Sequence, residues 1–295
     1  MPLLGEIPEE LTRSIIEGNC VAFVGSGLSM GIRRSNGNPL PSWPGLLKEI
    51  IEYAERENVS LSDVKADMSS AIEEGDLLTV AQELQHRLPP ESLARCLREI
   101  FLDSALRPGD LHRHLVAIPF RGFLTTNYDA LIEGAYTLKS QGVVAHTLVQ
   151  EDLTKVPNPL KLGRPFVFKM HGDASRVESV ILGSHDYQDT MFRMPHYRSF
   201  LETLFTVNTV LFLGFGVRDP DIVIALDRLA AIYARTNDCH YALVEKGRFS
   251  GLQKRRLALD KRIKIIEYEN DDGMHGQVLC FLELLDSVTA PYQTE

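Results

Sequence analysis

Four short segments gather hydroxyl, amide, carboxylate and imidazole groups directly behind apolar runs, where a strand would end. Gly25-Ser26-Gly27-Leu28-Ser29 follows Cys20-Val21-Ala22-Phe23-Val24. Its glycines permit tight turns and close backbone approach, so consecutive N–H groups could hold a phosphate, helped by the N-terminus of a helix beyond. The same residues also read as a plain strand-to-helix turn. They lack the third glycine of the dinucleotide fingerprint and the Lys-Ser/Thr of a P-loop. Thr125-Thr126-Asn127-Tyr128-Asp129 follows Phe123-Leu124. Asp129 is either the cap of a following helix or a ligand contact, and Asn127 is the residue whose amide could orient a ligand. His171-Gly172-Asp173 follows Val167-Phe168-Lys169-Met170. An imidazole there is either a satisfied packing group or a general base, for which its ordinary pKa of about 6.5 is suited. Gly214-Phe215-Gly216-Val217 follows Val210-Leu211-Phe212-Leu213 and could admit a nucleotide to the backbone, while Asp219-Pro220-Asp221 reads as the start of a helix.

The elements that would position these groups follow from hydrophobic period. Continuous apolar runs predict buried strands at 20–24, 122–125, 143–148, 166–170, 179–182, 209–213, 240–244 and 263–266. Helical signals lie at 9–18, from 129, from 219, at 252–259 and from about 275. Between 42 and 118 the period is helical throughout: Ser42 and Pro44 mark an N-cap and an early proline, and Leu47, Ile50, Ile51 and Ala54 share one face. The expectation is one α/β unit over 1–295, a Rossmann-like, doubly wound, mostly parallel sheet with a helical insertion at about 43–118. Ligands of such sheets bind outside the carboxyl ends of the strands, where strand order reverses.

Charge and cysteine usage narrow the classes. The 31 basic and 40 acidic side chains give a net charge of −9, which argues against direct nucleic-acid binding, since that affinity comes from Lys and Arg on phosphates. A small phosphorylated ligand remains compatible, because backbone N–H groups can supply the positive end. Cys20, Cys96, Cys239 and Cys280 form no Cys-x-x-Cys pair. They are therefore read as reduced thiols, mostly in the core, and no metal is expected. No apolar run approaches the roughly 18–20 residues of a membrane span, and the start lacks the pattern of a secretory signal. A cytoplasmic location is expected.

In this order, the segments resemble the sirtuin-like superfamily, and its bacterial anti-phage branch of NAD-cleaving domains more than its lysine deacylases. Gly25, Ser26, Gly27 and Ser29 are similar to the Gly-Ala-Gly-x-Ser phosphate loop, with Ser26 for Ala. Pro39-Leu40-Pro41-Ser42-Trp43 resembles the cofactor-loop segment that ends in an aromatic. Thr125-Thr126-Asn127-Tyr128-Asp129 resembles Thr-Gln-Asn-Ile-Asp. Lys169-Met170-His171-Gly172-Asp173 looks like the stretch carrying the catalytic histidine, and Gly214-Phe215-Gly216-Val217 like a later Gly-Thr-Ser-like ribose contact. The deacylases' zinc module of two cysteine pairs has no counterpart in this sequence, which puts deacylation in doubt.

The resemblance implies an NAD⁺ glycohydrolase in antiviral, abortive-infection defence. Asn127 and His171 would be catalytic, and Gly25, Ser26, Gly27, Ser29, Trp43, Thr126, Asp129, Gly214 and Phe215 would bind NAD⁺, with Asp129 on the carboxamide. A deacylase or ADP-ribosyltransferase, and a module that senses NAD⁺ or ADP-ribose without cleaving it, are the alternatives. It further implies a homo-oligomer controlled by a separately encoded partner, a HerA-type ATPase or a short Argonaute, since the domain takes up nearly all 295 residues.

Overall fold

The computed structural model describes residues 7–156, 158–161, 163–214, 223, 226–227, 239–271 and 273–292. Seven strands form one parallel sheet: β1 Cys20–Val24, β2 Gly122–Thr125, β3 His146–Val149, β4 Phe166–Lys169, β5 Thr209–Leu213, β6 His240–Glu245 and β7 Ile263–Tyr268, ordered β3-β4-β2-β1-β5-β6-β7. Every residue of β1, β2 and β4 is buried, the signature of strands covered on both faces. Alternate residues feed different cores. Ala22, Phe123, Val167 and Leu211 pack under α1 (Glu9–Ile16), α6 (Asp110–Ala117), α7 (Leu131–Lys139) and α11 (Gly276–Thr289). Phe23, Leu124, Phe168 and Phe212 face α9 (Pro195–Val207), with Leu257 of α10 (Gly251–Asp260) at the margin. The sheet is thus doubly wound, as the alternating pattern implies. After β2 has been laid on one side of β1, β5 returns to the other, which places the reversal of strand order at β1.

Pairing register aligns the strand tips: Val24 lies opposite both Thr125 and Leu213, and Thr125 opposite Lys169. The segments following β1, β2, β4 and β5 therefore leave the sheet at one level and one edge. The interval from 43 to 117 holds four further helices, α2 (Trp43–Arg56), α3 (Lys65–Glu74), α4 (Leu77–Arg87) and α5 (Pro90–Phe101), before α6. Ser42 caps α2, its Oγ accepting from Gly45 N–H at 3.3 Å, with Pro44 in the first turn. The lobe has its own apolar core, built on Leu47, Ile50, Leu84 and Leu97, and that core extends to Tyr128, Leu131, Ala174 and Leu182 beside the strand tips.

Several expected elements differ. No strand forms at 179–182: Val177–Ser179 is a single 3₁₀ turn, and Ile181 and Leu182 are buried as loop, with Ile181 N–H bonded to His171 O at 2.9 Å. Val143 and Val144 are exposed ahead of β3, which begins only at His146. The helix expected from 129 starts at Leu131, Asp129 Oδ1 accepting from Leu131 N–H at 3.1 Å. The helix from 219, and Phe215 with it, lies outside the described residues. Cys20 and Cys96 are buried, Cys239 is partly buried and Cys280 exposed, and none of the four is in a disulfide. Among the described residues, no helix is long and apolar enough to cross a membrane.

Candidate active site

The Gly25–Ser29 segment leaves β1 against the end of β5. Gly25 N–H donates to Leu213 O at 2.9 Å and Gly27 N–H to Gly214 O at 3.2 Å. The approach is closer than a side chain allows: a Cβ at Gly27 would stand 2.9 Å from Gly214 Cα, and Gly214 itself sits at φ +60°. Ser26–Leu28 forms one 3₁₀ turn, and no α-helix follows it directly. The expected helix N-terminus behind the phosphate loop is instead that of α2, fourteen residues on, whose Ser42 and Trp43 line the same cavity. The reason is the intervening strap, tied down by buried Arg34. Its guanidinium takes both Glu49 carboxylate oxygens at 2.7 Å and Pro39 O at 3.1 Å, folding residues 30–41 onto α2.

At the end of β2, Thr125 Oγ1 donates to Val24 O at 2.9 Å and accepts from Asn127 N–H at 3.0 Å. The Asn127 amide then reaches the glycine loop, Nδ2 donating to Gly25 O and to Ser29 Oγ, each at 3.3 Å. With both N–H groups held by the loop, the oxygen is the end that the amide offers a ligand. Ser29 Oγ in turn lies 3.3 Å from His112 Nε2. His112 projects from α6 and is 1% exposed; burial holds it below the ordinary histidine value, with Asp129 acting in the opposite sense. A neutral imidazole accepting the Ser29 proton fixes the hydroxyl so that it accepts from Asn127.

At the end of β4, Lys169 is fully buried in an otherwise apolar strand. Its ammonium donates to Asp129 O at 2.7 Å and Tyr128 O at 3.2 Å, and pairs with Asp173 at 2.7 Å and Glu133 at 3.5 Å. Burial opposes this charge, but Glu133 and Asp173 outweigh it and hold the amine above its ordinary value. Burial likewise acts against the Asp173 carboxylate, yet Lys169 lowers it, whereas burial keeps the more distant Glu133 raised. Lys169 therefore clamps the 127–129 turn to the strand that carries His171. The His171 ring meets Tyr187 edge-on, centroids 5.1 Å apart, with Tyr187 Oη 3.4 Å from Nδ1.

These side chains surround one cavity of about 620 Å³, within the range of small-molecule sites. Of the residues singled out from the sequence, Ser26, Ser29, Trp43, Thr126, Asn127, Asp129, His171 and Gly214 line it; Gly25 and Gly27 support it from behind without lining it, and Phe215 is outside the described residues. Four residues with no assigned part emerge only from the structure. His112 and Lys169 bond to the lining residues Ser29, Tyr128 and Asp129 without lining the cavity, and Tyr187 and Arg248 line it. Lys169 had one visible signal, a lone charge within Phe166-Val167-Phe168-Lys169-Met170. Among the described residues, no three His, Cys, Asp or Glu side chains converge as a metal site requires.

The chain is similar to several known proteins. The family model for the SIR2-like domain matches residues 121–266, which include the β2, β4 and β5 tips. An NAD(+) hydrolase ThsA of Bacillus cereus (strain MSX-D12) is 29% identical over 83% of this chain and 47% of its own length. One from Enterococcus faecium is 28% identical over 81% of this chain and 45% of its own. Defense-associated sirtuin 2 of Bacillus subtilis is 25% identical over 75% of this chain and 20% of its own. The chain thus spans about half the length of the first two or less. A crystal structure of a Sir2 homolog–NAD complex superposes over 98% of this chain and 96% of that one at 13% identity, with a TM-score of 0.43.

Proposed function

We propose that this chain, a member of the SIR2-like family in its anti-phage branch, hydrolyses NAD⁺ to nicotinamide and ADP-ribose. The carrying observation is the single cavity that Asn127 and His171 line from neighbouring strand tips, backed by a loop whose Gly27 leaves no room for a Cβ. The named hydrolase relatives support the choice of NAD⁺.

The chemistry asked of the site is modest. Nicotinamide departs as a neutral molecule, taking the electron pair of the C–N bond and leaving an oxocarbenium-like ribose; the likeness to glycoside hydrolysis is in this transition state. Backbone N–H groups of the 25–29 turn, with the α2 N-terminus, would hold the pyrophosphate despite the acidic chain. The oxygen of Asn127 would orient a water or a ribose hydroxyl, which removes orientational entropy before the reaction. His171 would take the proton released as water bonds to the anomeric carbon, a role worth typically about 10²- to 10⁴-fold. Asp129 would face the carboxamide and Trp43 would cover the ring. The defence-associated relative supports an antiviral setting. The proposal extends to a cytoplasmic homo-oligomer held in check by a separate HerA-type ATPase or short Argonaute, because unrestrained NAD⁺ cleavage would kill its host.

Chromatography of nicotinamide and ADP-ribose tests the assignment. Asn127→Ala and His171→Ala should each lose about 10²-fold or more of the cleavage rate while retaining a cooperative melt. Wild-type turnover in both, or saturable binding of NAD⁺ by the wild type without product over hours, overturns it.

A further inference from the structure

His171 is approached on its Nδ1 side by an element that owes its place to the helical lobe. Tyr187 belongs to α8 (Ser184–Gln188), a single turn too short to hold itself. Two glutamines of α4 fix it. Gln82 Oε1 accepts from His185 N–H at 2.9 Å and Ser184 Oγ at 3.2 Å, and Gln85 Nε2 donates to Asp186 Oδ2 at 2.7 Å. That same carboxylate oxygen gathers Leu182 N–H at 2.9 Å and Gly183 N–H at 3.2 Å. The segment is closed on the other side by Tyr128 Oη donating to Ile181 O at 2.6 Å and by Ile181 N–H on His171 O. The α4 glutamines thus anchor the turn that carries Tyr187, whose Oη lies 3.4 Å from His171 Nδ1.

We infer that Tyr187 is the positioning residue of His171, setting the tautomer and plane of its ring, and that Gln82 and Gln85 hold Tyr187 in register from the helical lobe. The physical basis is tautomer control: the partner of one ring nitrogen decides what the other presents, and the edge-on ring restricts rotation about the side-chain axis. A base acting through Nε2 must carry its proton on Nδ1, and Tyr187 Oη stands on that side as the acceptor for it. The lobe thereby contributes to the site without touching the reacting atoms. This rests on the NAD⁺-cleaving role proposed for His171, but the placement itself can be read without turnover.

The test uses the full chain with ¹⁵N-labelled histidine, the His171 imidazole signals being assigned by their loss in His171→Gln. Wild type should show one dominant tautomer. Tyr187→Phe, which keeps the ring, should give averaged nitrogen shifts of mixed tautomers, and Gln82→Ala/Gln85→Ala should move them in the same direction. In turnover, Tyr187→Phe should lower kcat about 10-fold with KM for NAD⁺ within about twofold, as expected of a group acting through the base rather than on the substrate. Unchanged His171 shifts in Tyr187→Phe overturn the inference. If the wild type cleaves no NAD⁺, the functional proposal fails while the nitrogen shifts still decide the positioning.

Discussion

Replacing Gly27 with Ala puts the closest backbone contact of the site to a measurable test. A Cβ at position 27 stands 2.9 Å from Gly214 Cα and 3.0 Å from Gly214 O, whereas ordinary contact begins at 3.4 Å. The turn and the β5 tip must therefore separate by about 0.5 Å, the difference between 3.4 and 2.9 Å. Both partners are backbone, so no rotamer change relieves the contact, and Leu28 of the same turn crowds Gly214 as well, its N lying 2.9 Å from where a Gly214 Cβ would stand. The Gly27 N–H bond to Gly214 O, already 3.2 Å long, would be lost. Overpacking of this kind costs about 1–3 kcal/mol. At roughly 2.1 cal/mol/K per residue, a chain of 295 residues has an unfolding entropy of about 0.6 kcal/mol/K, so the melting temperature should fall by about 2–5 °C. Because misplacing a positioned group by 1 Å can cost about 10²-fold, a displacement of half that should cost nicotinamide release about 10-fold. Gly31→Ala is the control: nothing lies within 4 Å of its Cβ position, so it should stay within about 0.5 kcal/mol of wild type. Calorimetric melts and nicotinamide release on the two variants decide the matter. If they prove indistinguishable, the reasoning from close backbone approach is refuted.

Two further predictions concern the buried charges around the site and sheet. Lys169→Met should strand the Asp173 carboxylate and free the carbonyls of Tyr128 and Asp129, costing about 3–5 kcal/mol and about 5–8 °C in melting temperature; a loss under 1 °C would show that the clamp contributes little. His240, buried with Nδ1 accepting from Val210 N–H at 3.2 Å, is pushed down to about 4 by burial and then by Arg262. Its neutral form is favoured on folding, so the unfolded chain binds more protons between pH 6.5 and 4, and stability falls as pH drops through that window. The full displacement is worth about 3 kcal/mol, of which about 2 should be lost between pH 7 and 5. His240→Gln keeps an acceptor without a titrating ring, so the wild-type-minus-variant difference in denaturant melts should carry that loss; a pH-independent difference would contradict it.

The strands that bear the site were legible because a doubly covered parallel strand must be apolar throughout: β1, β4 and β5 stand out against charged neighbours. The same rule misleads at 179–182, where Val180, Ile181 and Leu182 are apolar because they pack as loop beside the lobe core and the His171 turn. A short apolar run cannot by itself distinguish the two. Asn127 and His171 were legible as polar groups directly behind strands, since strand ends are where a parallel sheet exposes its polar edge. The supports were not. His112 meets Ser29 across 83 positions of sequence and Gln85 meets Asp186 across 101, and neither spacing carries any periodic signal. Such partners are set by where α4 and α6 land on the sheet edge, which depends on tertiary packing rather than on local pattern.

The two walls of the cavity are held by different kinds of force. On the sheet side, the glycine turn is fixed by backbone hydrogen bonds to the end of β5, and the Asn127 segment by its side-chain bond to Gly25 O and by the Lys169 clamp, short-range contacts that tolerate little displacement. On the lobe side, Trp43, Leu77 and Phe101 sit on helices whose apolar core is separate from the two that cover the sheet, and Tyr187 sits on α8, which the α4 glutamines hold. That lobe core nevertheless extends onto the site's own turns. Tyr128, beside Asn127, packs edge-on to Phe101 at 5.4 Å, and Leu182 closes the loop over His171. A shift of the lobe as a body would therefore bear on Tyr128 and Leu182, and through them on the neighbouring Asn127 and His171 turns. Close-packed interiors transmit such displacements because they contain few voids to absorb them. The helices between 43 and 101 are in this sense part of the frame of the proposed site, and a surface that engages them acts on Asn127 and His171 through Tyr128 and Leu182.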